Sequence, residues 1–362
     1  MKSYHLGLQY HDADKSAPGF TLIAPMAHEE AFLIGNDGET AHRWALPGAL
    51  GSKASLLPNG NLLCSVFTRD GEPLEAAIRI PGALGGRMRE LDWSGNIVWE
   101  HTDPNQHHDL CRLDNGNTLY LSREEMTPAE AARVTGGIPG SGLHQPALAG
   151  KMFADIVREV NPAGEIVWEW QFKDVDPSLF SLAADCHRGE WGHANSAAPT
   201  LDGNVLVSFR HLDTIMIVDK ASKEIVWSLT DRTWGHQHHA EMLPNGNITL
   251  FANGMNNLQQ PLHSRAIELD PKSGEVVWQY IDPQRWTFFT PVMGGVQRLT
   301  NGNTLLCESL NGRVFEVTPD REIIWDYICP TFQPVPVLQG RGNALFRAYR
   351  YAPNSPEIAG RL

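Results

Sequence analysis

Six times along the chain a short strand-like run ends near a tryptophan: HRWAL at 42–46, NIVWEH at 96–101, EIVWEW at 165–170, EIVWSL at 224–229, EVVWQY at 275–280 and EIIWDY at 322–327. The tryptophans are 47 to 69 residues apart. A second marker alternates with them, a tight turn that opens a strand. It reads LPNGNLL at 57–63, LDNGNTL at 113–119, LDGNVL at 201–206, LPNGNIT at 243–249, LTNGNTL at 299–305 and GRGNALF at 340–346. Asn-Gly and Asp-Gly supply the positive φ angles that two-residue hairpins require. Between the markers apolar residues alternate with period two, as in GRVFEV from Gly312 to Val317, and helical periodicity is scarce. Four short strands need about 40–50 residues, so repeats of this length are blades. The chain is therefore expected to be all-β, a six-bladed β-propeller.

The two ends complete each other. The last turn-and-strand, Gly342 to Tyr351, has no tryptophan strand after it. At the start, strands at Thr21 to Ala24 and Ala31 to Ile34 lead to Trp44 with no NGN turn before them. The last blade is thus expected to be closed by strands from both termini, which removes the open edges of the ring. Residues 1–362 read as a single propeller domain with insertions at about 124–158 and 171–190. The first insertion suggests a helical turn at Thr127 to Arg133 and the second a short helix at Pro177 to Ala184. Insertions that long usually shape a binding mouth.

A formal charge of -13 with no Lys/Arg run argues against nucleic acid or an anionic membrane as partner. No 18 apolar residues run together, so no membrane span is expected. The amino terminus has no apolar signal segment, which points to the cytoplasm. Five scattered cysteines form neither a disulfide framework nor a CxxC metal site, and read as reduced packing residues.

Aligned on the turn asparagine, His108 and His238 each stand seven residues before their turns at Asn115 and Asn245. His193 stands nine before Asp202, equivalent if the intervening AAPT stretch bulges by two. Inner strands of a propeller line its channel, so these three imidazoles should converge at one end of the axis, with Arg210 near the same rim and Asn195 two residues past His193. Buried imidazoles and a guanidinium are poor choices for stability alone, because each must find partners. Strand alternation points the neighbouring His107 and His239 away from the channel, although a bulge would reverse that. His28, His144, His187, His211 and His236 fall on loops or the rim.

The HHD block at 107–109 with Gly116 downstream, HANS at 193–196 followed by Arg210, QHHAEMLPNGNITLFANG at 237–254 and the segment 294–327 together resemble the arylsulfotransferase family of six-bladed propellers. The resemblance implies sulfuryl transfer, independent of PAPS, from a phenolic sulfate to a phenol. It makes His238 the nucleophile that carries the sulfuryl group, has His108, His193 and Arg210 hold the sulfuryl oxygens, and makes Asn195 an active-site amide. No cofactor is implied, and the partner is a small anionic or phenolic substrate. Ala252 and His239 stand where the family carries acids.

The same residues support a different chemistry. His108, His193 and His238, with His107 or His239 as a further ligand, could hold a divalent transition metal such as Zn, Mn or Fe. That site would serve a lyase, hydrolase or oxygenase acting on an anionic or phenolic substrate. A non-catalytic protein-binding propeller would instead need an ordinary apolar channel.

Overall fold

In the computed structural model, which describes residues 5–67, 85–255, 261–335 and 340–362, every tryptophan run becomes the fourth strand of an antiparallel sheet. Five blades are consecutive in sequence and run from the axis outward. Their inner strands are Ala49–Leu56, His107–Arg112, Ala194–Pro199, His238–Met242 and Gly295–Arg298. The sixth takes its inner strand, Tyr349–Tyr351, from the C-terminal end and its other three, Phe20–Ile23, Glu30–Ile34 and Thr40–Ala45, from the N-terminal end. This is the closure expected from the sequence. Gly7–His11 adds a fifth strand outside the fifth blade, and Glu190–Trp191 pairs in parallel with Phe153–Val160 of the second.

The tryptophans explain why the outer strands repeat. Each indole N–H donates to a backbone carbonyl in the turn before the next blade's outer strand: Trp44 to Asp92, Trp99 to Pro162, Trp168 to Lys220, Trp227 to Pro271, Trp278 to Pro319 and Trp325 to Asn36. The six bonds are 2.8–3.1 Å long and run once around the ring. Trp227→Phe keeps the packing and removes one link, so it should cost about 1 kcal/mol, read as a fall of about 1–2 °C in Tm.

The NGN turns carry a second inter-blade link. The last asparagine of each binds a glutamate on its own third strand: Asn61 to Glu90, Asn117 to Glu159, Asn247 to Glu268 and Asn303 to Glu316. Arg112 and Arg298, from the inner strands of the following blades, then pair with Glu90 and Glu268 at 2.7 and 2.6 Å.

Two expectations are corrected. GRGNALF does not open a blade strand, because Gly340–Gly342 forms a separate hairpin with Gln333–Val335. Its dipeptide order is Gly-Asn rather than Asn-Gly, none of residues 341–346 has positive φ, and Asn343 instead donates to the Cys329 carbonyl. The second insertion also forms no helix at 177–184. Its backbone donors are taken by neighbouring loops, Leu182 N–H by Thr135 O and Ala183 N–H by His211 O. A 3-10 turn at Phe172–Asp174 appears instead. The first insertion does form a short helix, Pro128–Arg133, started by a Thr127–Glu130 capping box. No helix among the described residues is long and apolar enough to cross a membrane.

Candidate active site

Bulges in the inner strands set the site. In the second blade His107 pairs with Leu121 and Leu110 with Tyr120, so His108 and Asp109 are extra residues. In the fourth blade His238 pairs with Phe251 and Glu241 with Thr249, leaving His239 and Ala240 outside the regular register. The third blade slips at Asn195, not in the AAPT stretch. His108, His193 and His239 take left-handed φ angles of 51°, 54° and 50°, conformations that non-glycine residues adopt at a cost.

The bulges make the two His-His pairs unequal. His108 faces a cavity at the mouth of the axis while His107 turns into its sheet, toward Ser122 O and Asp155. In the fourth blade it is His238 that lines the cavity, and His239 turns to the Val296 N–H and Tyr349.

The cavity measures about 290 Å³. His108, His193, Arg210 and His238, all singled out in the sequence, line it together, and His108 and His193 meet edge to face at 4.8 Å between ring centres. Asn195 does not. Its amide donates to Gln237 O and its backbone carbonyl accepts from Arg347, so it ties the third blade to its neighbours. Five further polar side chains from outside the inner strands line it: His144, Gln145, His187, Glu190 and His211. The sequence placed the three histidines on loops or the rim, and Glu190 gave no signal of its own. It is brought in by the short strand Glu190–Trp191, and His211 by a 3-10 turn at Arg210–Leu212.

The electrostatics are polarised. Burial pushes Glu190 upward, but His193 and Arg123 outweigh it and hold its carboxyl well below the usual range. Burial pushes His108, His211 and His238 well below the ordinary imidazole value, so each is neutral near neutral pH. Arg210 lines the cavity with no side-chain hydrogen bond or salt bridge among the described residues, an available cation in a place suited to an anion.

His238 is held at both ring nitrogens. Asn253 gives its amide N–H groups to Thr290 O and Met293 O, which turns its oxygen toward His238 Nδ1 at 2.8 Å. His238 therefore carries its proton on Nδ1, and Nε2 accepts the Met293 N–H at 3.2 Å. Beside the cavity an ionic cluster fills the axis. Asp109 meets Lys53 and Arg347 at 3.0 Å each and accepts the Ala197 N–H.

Among the described residues, two groups of side chains bring metal-ligating atoms within 4.8 Å of one another: His187, Glu190 and His211, and Asp185, Cys186 and His236. Neither includes His108, His193 or His238, nor His107 or His239, so the metal-capable groups are not the expected three-histidine set. His187, Glu190 and His211 line the same cavity.

Six blades with this histidine-rich mouth define an enzyme scaffold of the propeller class. Residues 81–329 match the arylsulfotransferase (ASST) family, and the chain belongs to that family. No curated protein matches it. Among solved structures, a protein of unknown function from Bacteroides caccae is similar over 92% of this chain and 99% of its own, with 13% identity and a TM-score of 0.56. A streptogramin B lyase is similar over 90% and 87%, with 10% identity and a TM-score of 0.47. A catalytically inactive virginiamycin B lyase from Staphylococcus aureus with quinupristin is similar over 89% and 88%, with 12% identity and a TM-score of 0.47. At these identities the likeness concerns the fold alone.

Proposed function

We propose that the chain is a metal-dependent enzyme acting on a small anionic or phenolic substrate in the axial cavity. One observation carries this reading: His187, Glu190 and His211 offer ligand atoms within 4.8 Å of one another in the cavity that Arg210 also lines, with no side-chain hydrogen bond or salt bridge of its own among the described residues. Two imidazoles and a carboxylate, open on one side, are the donor set of a catalytic divalent site for Zn, Mn or Fe. Burial lowers both His187 and His211, which favours the neutral ligating form. His193 Nδ1 lies 3.0 Å from Glu190 Oε2 and orients that carboxylate. A cation there would polarise a substrate oxygen while Arg210 takes the anionic group.

Protein stripped of metal and titrated with Zn²⁺ or Mn²⁺ should bind one equivalent by calorimetry and elemental analysis. His187→Ala and His211→Ala should each weaken that binding at least tenfold. Failure of the unaltered protein to retain any metal sinks the reading.

A second reading, sulfuryl transfer through His238, is favoured by family membership and by the shared cavity of His108, His193, Arg210 and His238. It requires Met293 N–H to release His238 Nε2 before attack. Acid-labile sulfo-labelling of metal-free protein by para-nitrophenyl sulfate, abolished in His238→Ala, would decide for it.

A further inference from the structure

Behind the cavity wall a line of buried titratable groups runs away from solvent. His107 Nδ1 and His108 Nδ1 are 2.8 Å apart, with the rings edge to face. On its far side His107 Nε2 lies 3.1 Å from Ser122 O and 3.3 Å from Asp155 Oδ1. All three side chains are almost fully excluded from solvent. Asp155 Oδ2 is buried without a hydrogen-bond partner. Gly192, at φ 109°, permits its approach, since a side chain there would collide with that oxygen.

The protons on this line follow from elimination. A carbonyl only accepts, so Ser122 O fixes the proton of neutral His107 on Nε2 and leaves Nδ1 bare. Two bare nitrogens would not sit 2.8 Å apart, so neutral His108 carries its proton on Nδ1 and donates it to His107. The lone pair of His108 Nε2 is then left on the cavity side.

We infer that His108 is the cavity's proton acceptor and that His107 and Asp155 form a relay carrying the accepted proton into the second blade. The transfer balances without a co-reactant. A substrate O–H or water proton goes to His108 Nε2, the Nδ1 proton of His108 passes to His107 Nδ1, and the Nε2 proton of His107 passes to Asp155 Oδ1. One N–H or O–H bond breaks for each that forms, and the negative charge left on the substrate is matched by neutralisation of Asp155. His107 and Asp155 act through His108 and do not touch substrate.

The surroundings favour this direction. Burial, with the Glu190 carboxylate adding to it, pushes Asp155 up to about 7 against the opposing pull of the Ala194 N–H, His193 and Arg123, so it can hold or release a proton near neutrality. The charged or titratable groups facing the two histidines are Arg123, Glu190, His193 and His238, and burial is the largest influence on both. The relay concerns proton handling alone, and it serves a metal-assisted or a metal-free reaction equally.

The test needs no substrate. In protein labelled with ¹⁵N in its histidine rings, long-range ¹H–¹⁵N spectra should show the proton of His108 on Nδ1 and that of His107 on Nε2. Both sets of ring signals should shift together in one step as Asp155 titrates near neutral pH. In Asp155→Asn, which keeps an acceptor oxygen but cannot take up the proton, that shared step should be lost while the His238 ring signals stay as they were. Opposite tautomers in the unaltered protein, or persistence of the shared step in the variant, overturn the relay. The tautomer assignment decides alone if the variant does not fold.

Discussion

Asp109→Ala is expected to destabilise the protein by about 3–5 kcal/mol, the usual consequence of removing one partner from a buried ionic group. Lys53 and Arg347 approach opposite oxygens of this carboxylate, and all three side chains are almost wholly buried. Burial alone would raise Asp109, yet Arg347 and Lys53 hold it below the ordinary carboxylate range. Removing it leaves two cations facing each other in a narrow channel and strips an acceptor from the Ala197 N–H. The cluster joins the first, second, third and sixth blades, so the loss should appear as a cooperative fall in the denaturation midpoint. A change under about 1 kcal/mol would show that channel water compensates for the missing carboxylate, and the ionic cluster would then have no role in stability.

Acidification should be the second large effect. His107, His108, His211, His238 and His239 are all pushed well below the ordinary imidazole value, in each case chiefly by burial. The unfolded chain takes up these protons near about pH 6.5, whereas the folded chain refuses them until lower pH. Below about 6.5 the unfolded state therefore binds more protons, and stability falls as pH falls. Each group contributes up to about 1.4 kcal/mol per pH unit within that window. Asp155, Glu241 and Glu308 work in the opposite sense, because burial raises them and the folded state keeps protons that the unfolded state has released. Five histidines outweigh three carboxyls, leaving a net loss of several kcal/mol between about pH 6.5 and about pH 4.5. Urea titrations at a series of pH values read this directly, and a midpoint that is level or rises on acidification contradicts it.

The fold was legible because its links are made by residue types with one dominant use. Each tryptophan must satisfy an indole N–H at an outer edge, and each NGN turn needs its glycine and then spends its second asparagine on a glutamate. GRGNALF was misread because composition resembles the turn while dipeptide order does not. Of the site, His108, His193 and His238 could be picked out because their position in or at the start of an inner strand aims them at the axis, and Arg210 because it ends the neighbouring strand at the same rim. Asn195 could not be judged, since the bulge on which it sits turns its amide toward Gln237. The unequal His-His pairs were equally hidden, because bulge placement is a matter of packing and not of local pattern. Glu190, His187 and His211 escaped for another reason. They come from an insertion and a short turn, where no periodicity ties a side chain to a direction.

The closure of the ring has a consequence for how the molecule is made. Arg347 reaches Asp109 across 238 positions, and Arg350 reaches Thr21 across 329. Bringing such distant segments together slows a search more than it weakens the product, because loop-closure entropy grows only logarithmically with length while folding rates fall steeply with contact separation. A nascent chain still attached to the ribosome can assemble its middle blades but lacks the cation that completes the axial cluster. The axial cluster should thus mature in one late step, after the C-terminal strand has left the exit tunnel.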